Sequence, residues 1–68
     1  MKVFVSSDME GTAGIVDWEQ VRPGSSAYPA SVELLLAEVN AAIEGAVRAG
    51  ATEVLVNDSH GRMANLPP

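Results

Sequence analysis

One long amphipathic segment lies between two short apolar runs in this chain, and that order leaves few folds open. From about Ala30 to Ala49 the apolar residues Val32, Leu35, Leu36, Val39, Ile43, Ala46 and Val47 recur at helical spacing, while Glu33, Asn40, Glu44 and Arg48 fall largely on the other face. Pro29 suits a first turn, Glu33 the positive end of a helix, Arg48 the negative end and Gly50 the stop. Residues 2–7, around Val3, Phe4 and Val5, and residues 52–56, around Val54, Leu55 and Val56, are short, β-branched and bounded by polar or glycine clusters, so both are predicted strands. Strand, helix and strand in this order predict a right-handed β-α-β unit with parallel strands.

Parallel strands joined in this way end on the same edge of their sheet, the edge where open α/β sheets bind ligands. The first strand runs into Asp8-Met9-Glu10-Gly11 and the second into Asn57-Asp58-Ser59-His60-Gly61. Asp8, Glu10 and His60 are therefore expected to meet although they come from opposite ends of the chain. Alone, an acidic pair at a strand end often caps a turn, and a lone histidine is often a hydrogen-bonded structural residue. Brought to one edge, two carboxylates and an imidazole form the donor set of a divalent metal site. Residues two apart in an extended segment share a side, so Asp8 and Glu10 aim at one point if the extended geometry persists past Ser7. Gly11 is expected to permit a close backbone turn under the pair. Asp58 is read as an acceptor for the ring N–H of a liganding His60, or as a structural residue, rather than as a further ligand. Asn57 and Ser59 are read as fixing the loop.

Composition removes several alternatives. Nine acidic against four basic residues give a net charge of −5, which opposes the phosphate backbone a nucleic-acid binder must neutralise. The longest apolar run, Leu34 to Ala37, is far too short for a membrane span, and only three apolar residues follow Lys2, too few for a signal-peptide core. The absence of cysteine rules out disulfides and a thiolate metal site and points by default to the cytoplasm. A chain of 68 residues buries only about 60% of its unfolded surface. Its strands read as apolar on both faces, yet one helix covers only one of them. Residues 1–68 are accordingly read as the N-terminal, incomplete part of a single larger α/β domain with three layers and a mainly parallel sheet, the chain stopping in a loop at Asn65-Leu66-Pro67-Pro68.

The remaining motifs carry less. Residues 8–29 hold Gly11, Gly14, Pro23, Gly24, Ser25 and Ser26, the chemistry of a long loop, in which Asp17 to Val21 suit a single helical turn and Trp18 and Val21 suit packing onto the sheet. Gly45 in the helix costs about 1 kcal/mol relative to alanine, which suggests close packing against a neighbour. Gly11-Thr12-Ala13-Gly14 matches neither a dinucleotide fingerprint nor a P-loop. Ser59 lies beside a histidine but in no G-x-S-x-G elbow, so it is not read as a nucleophile. Arg22 and Arg62 are isolated charges, and Tyr28 is read as a packing residue.

These residues carry a resemblance. Val-Ser-Ser-Asp-Met-Glu-Gly-Thr-Ala-Gly-Ile from Val5, the segment Glu38-Val39-Asn40-Ala41-Ala42, and above all Glu53-Val54-Leu55-Val56-Asn57-Asp58-Ser59-His60-Gly61 look like the zinc-dependent D-aminopeptidase family of the dipeptide-operon type, across nearly the whole chain. The resemblance implies a binuclear zinc peptidase that releases N-terminal D-amino acids from short peptides and assembles into ring-shaped decamers. It implies that Asp8 bridges the two metals, that Glu10 binds one and His60 the other, and that the remaining ligands and the catalytic histidine lie outside this chain, leaving it inactive alone. After Tyr28, where the family usually has basic residues, this chain reads Pro29-Ala30-Ser31-Val32-Glu33.

Two alternatives stand beside this reading. An apolar strand followed by Asp-x-Glu-Gly-Thr is close to the Asp-x-Asp-Gly-Thr opening of haloacid-dehalogenase-type phosphatases, with Asp8 as nucleophile, Glu10 as acid and magnesium as cofactor. Under it His60 has no task. The other is a non-enzymatic domain with a closed, structural metal site.

Overall fold

The computed structural model describes residues 1–67, and the terminal loop expected to run from Asn65 to Pro68 is irregular through Pro67, with Pro68 outside the described residues. Strand β1 spans Lys2–Ser7, helix α1 spans Tyr28–Arg48 and strand β2 spans Glu53–Asp58. The strands pair in parallel, with Val3 beside Val54, Val5 beside Val56 and Ser7 beside Asp58. The β-α-β unit expected from the order of the three segments is the fold of the chain.

The strands alternate as a half-covered sheet requires. Val3, Val5, Val54 and Val56 are partly buried and Ser7 is buried, whereas Phe4 and Leu55 on the opposite face are exposed by 63% and 61%. One helix covers one face, as the sequence implied. Leu35 and Val39 of α1 are buried with Met9 and Val21, and Val32, Ile43, Val56 and Leu66 pack around them. The buried stripe stops short of its expected end, where Val47 is 56% exposed.

The helix begins at Tyr28, two residues ahead of the expected start, with Pro29 in its first turn. Ser31 turns its hydroxyl onto the Ala27 carbonyl at 3.1 Å, and Glu33 consequently falls in the second turn rather than at the positive end. At the other end Gly50 takes a φ of 103°, a left-handed conformation that favours glycine, and so stops the helix where expected. Gly45 departs from its reading. A Cβ built there meets nothing within 4 Å among the described residues, so no close neighbour within this chain demands a glycine.

The long connection between β1 and α1 is held by its own side chains. Trp18–Val21 form a single 3₁₀ turn capped by Asp17, whose carboxylate accepts from the Glu19 N–H at 2.9 Å. Gln20 closes the other half of this capping box, accepting from the Val16 and Asp17 N–H groups at 2.7 and 2.9 Å and donating to the Gly14 carbonyl at 2.9 Å. Glu38 of α1 accepts from the Ala13 N–H at 2.9 Å, tying the loop to the helix. Val21 packs inward as expected, but Trp18 does not: it is 74% exposed. Asp17→Ala should therefore cost about 1 kcal/mol through the lost cap, read as a lower denaturant midpoint for the protein carrying this segment, and an unchanged midpoint would show the turn to be held by Gln20 alone.

Candidate metal centre

At the carboxyl edge of the sheet the chain leaves β1 at Ser7 and bends rather than continuing as a strand. The Thr12 N–H donates to the Met9 carbonyl at 2.9 Å, closing a turn. Met9 at the bend is fully buried, while Asp8 and Glu10 on either side are exposed. The two carboxylates thus share a side because a buried anchor lies between them, and not because the strand persists. Gly11 sits in this turn without a left-handed φ and with open space where a Cβ would stand, so the turn does not require a glycine.

Strand β2 runs two residues further than the sequence suggested and carries Asn57 and Asp58 within it. The Ser59 N–H donates to the Ser7 carbonyl at 2.9 Å, continuing the ladder and delivering the next residue, His60, over the end of β1. Its Nδ1 lies 2.9 Å from Asp8 Oδ1 and 3.1 Å from Glu10 Oε1. One donor atom from each of Asp8, Glu10 and His60 lies within 4.8 Å of the others, so the neighbourhood expected from the sequence exists. His60 is buried and the carboxylates face solvent, leaving the cluster reachable from one side.

The imidazole tautomer follows from its other nitrogen. Nε2 lies 2.7 Å from the Val21 carbonyl, which can only accept, so Nε2 carries the hydrogen and donates it. In the neutral ring Nδ1 then presents a lone pair to two carboxylate oxygens. Three lone pairs at such separations repel unless a cation sits among them, either a proton on Nδ1 or a metal ion. Burial of the ring disfavours its charge, but the Val21 carbonyl and the Asp8 and Glu10 carboxylates outweigh that and hold the His60 pKa above its ordinary value. Asp8 is held below the usual carboxylate range, first by the neighbouring Glu10 carboxyl, then, against desolvation, by the Met9 N–H and the His60 ring.

The donor set fits zinc. Zinc takes nitrogen and oxygen ligands at about 2.0–2.2 Å, which places neighbouring ligands of a tetrahedral ion roughly 3.4 Å apart. The His60 Nδ1 lies a little closer than that to the Asp8 and Glu10 oxygens, at 2.9 and 3.1 Å, and all three donors lie within 4.8 Å of one another. Asp8 Oδ1 faces His60 and also accepts from the Met9 N–H at 2.8 Å.

Asp58 does not receive the ring N–H, which goes to Val21. Its Oδ2 instead accepts from the Asn65 and Leu66 N–H groups at 2.6 and 2.8 Å, and its Oδ1 from the Asn65 side chain at 2.8 Å. Burial raises the carboxyl's pKa, but these donors prevail and hold it below the usual range. Asn57 and Ser59 engage each other at 2.7 Å, and Ser59 meets the Ser6 hydroxyl at 2.8 Å. Ser59 therefore has hydroxyl and amide partners, and none of them is a base. Arg62 is exposed. The residues that sequence reading missed are Val21, acting through its carbonyl, and the pair Tyr28 and Asn65. Their only signal was an asparagine five residues beyond the histidine, in a segment too short of regular structure to explain it.

Known proteins resemble this chain in sequence and in fold. A profile of the D-aminopeptidase family matches residues 1–68. The chain is 44% identical over 66 residues to a D-aminopeptidase of Bacillus subtilis (strain 168), covering 97% of this chain and 24% of that one. It also matches the solved structure described as the Zn-dependent D-aminopeptidase DppA from Bacillus subtilis, a self-compartmentalizing protease, with a TM-score of 0.95 and 43% identity over 98% of this chain. The chain spans 24% of the length of each of these relatives.

Proposed function

The chain belongs to the D-aminopeptidase family, and from that premise we propose that it is the metal-bearing opening segment of a single-domain binuclear zinc aminopeptidase acting on short peptides with an N-terminal D-residue. The observation that carries this reading is the convergence of Asp8, Glu10 and His60 Nδ1 on one point, with the tautomer of His60 set so that a lone pair faces it. Asp8 would help hold both ions, Glu10 one and His60 the other, and the remaining ligands and the catalytic histidine would come from outside this chain. When bound, the zinc pair supplies a water that is activated near neutral pH and polarises the carbonyl under attack. The chain's own part is to hold the donors: Met9 anchors the carboxylates, Val21 orients the imidazole, and the open side of the cluster admits the peptide.

The phosphatase alternative leaves His60 idle, whereas here the imidazole sits between the two carboxylates; the family membership removes that alternative. A closed structural site is disfavoured by the exposure of Asp8 and Glu10. Among the described residues no helix is long and apolar enough to cross a membrane. The cytoplasm is the compartment proposed, supported by the lack of cysteine. A homo-oligomer, the decamer of the resemblance, is the assembly proposed, supported by the self-compartmentalizing description of the solved relative.

The test is metal analysis and chelation of the full-length protein. Two zinc ions per subunit are expected, with hydrolysis of D-alanyl p-nitroanilide lost on dialysis against a chelator and restored by zinc. Magnesium dependence, or activity that survives complete zinc removal, would sink the proposal.

A further inference from the structure

Beyond the cluster itself, His60 is gripped from behind. The residues after it turn sharply, with Gly61 and Met63 at φ of 54° and 60° and the Met63 N–H donating to the His60 carbonyl at 2.8 Å. A left-handed φ is uncommon for a methionine, so this turn needs support from outside itself. Asn65 provides it. Its buried side-chain amide donates one hydrogen to the His60 carbonyl at 2.7 Å and the other to Asp58 Oδ1 at 2.8 Å. Its Oδ1 accepts from the Tyr28 hydroxyl at the first residue of α1. Three hydrogen bonds of the amide thus link three different parts of the fold: the end of β2, the histidine's own backbone and the start of the helix. With the Val21 carbonyl on the ring, His60 is fixed by both its main chain and its side chain.

We propose that Tyr28, Asn65 and Asp58 form a clasp that positions His60 and thereby sets the affinity of the cluster for metal. The proposal rests on the reading of Asp8, Glu10 and His60 as a metal site. None of the three residues reaches the cluster, so each acts through the His60 backbone. Outer partners of this kind typically change metal affinity by about 10–100-fold when removed. A residue serving stability alone would instead lower the melting temperature and leave affinity untouched.

The test uses the full-length protein and measures the zinc dissociation constant by competition with a chromophoric chelator, alongside the visible spectrum of the cobalt-substituted protein and the melting temperature of the metal-free form. Asn65→Ala is expected to weaken zinc binding about 10–100-fold and to alter the cobalt spectrum. Tyr28→Phe, which removes one hydroxyl and keeps both donors of Asn65, is expected to weaken it about three- to tenfold, and it decides the matter if Asn65→Ala fails to fold. A lower melting temperature with zinc affinity and cobalt spectrum unchanged in these variants would overturn the clasp. His60→Ala separates the two levels: zinc bound as tightly by that variant as by the wild type would overturn the metal reading itself, whereas loss in His60→Ala without loss in Asn65→Ala or Tyr28→Phe would overturn only the clasp.

Discussion

Asp8→Ala in the full-length protein is expected to abolish zinc loading and hydrolysis together, with kcat/KM falling by about a thousandfold or more. Asp8 is the residue through which the proposed site depends on a single side chain: its Oδ1 faces the His60 Nδ1 at 2.9 Å, and in the proposal it serves both ions. Removing it takes a donor from both proposed metal positions at once, and it leaves Glu10 and His60 as isolated, weak ligands. Metal activation of water and polarisation of a carbonyl together supply several kcal/mol of transition-state stabilisation, and each 1.36 kcal/mol lost is about tenfold in rate. Glu10→Ala, which removes a donor from one position only, should retain more metal than Asp8→Ala. The measurement is zinc stoichiometry by elemental analysis beside the rate on a D-alanyl substrate. Full zinc stoichiometry in Asp8→Ala would remove the bridging role, and equal stoichiometry in the two variants would remove the asymmetry between them.

The parts of this site that could be read from the sequence are those governed by short-range rules. Helical periodicity from Val32 to Ile43, β-branched runs at Val3–Val5 and Val54–Val56, and the parallel pairing that a helical crossover imposes were sufficient to bring His60 to the carboxylates. The contacts that orient His60 obey no such rule. A backbone carbonyl has no residue signature, so the acceptor for the imidazole, Val21, lay hidden in a 22-residue stretch of turns and glycines. Asp58 was the only carboxylate near the histidine in sequence, which made it the natural partner for the ring. The strand alternation instead directs it under the loop, where it meets the N–H groups of Asn65 and Leu66. Trp18 was misplaced for a related reason. Aromatic residues are usually packed, but the capping box of Asp17 and Gln20 fixes the turn so that Val21 faces inward and Trp18 outward. Local hydrogen bonding, not hydrophobicity, decides which of the two is buried.

Met9→Ala is expected to cost about 2–5 kcal/mol of stability, the range for truncating a long side chain in a packed core, although the substitution lies between two exposed carboxylates. Met9 has no accessible surface and packs with Val21, Leu35 and Val39, so the bend that presents Asp8 and Glu10 is nailed to the helix by this one side chain. The same core residue Val21 carries the carbonyl that orients His60. A cavity at Met9 therefore lies between the two carboxylate-bearing residues and against Val21, so its relaxation is expected to shift the carboxylates and the imidazole's acceptor together. Zinc affinity should fall with stability in Met9→Ala, whereas Met9→Leu, which keeps the volume, should cost less than about 1.5 kcal/mol and leave affinity near that of the wild type. Denaturant unfolding of the metal-free full-length protein measures the first effect and chelator competition the second. Equal stability of the alanine and leucine variants would mean that the bend is held by its own turn hydrogen bonds. In that case the convergence of Asp8 and Glu10 would be a property of the loop and not of the core beneath it.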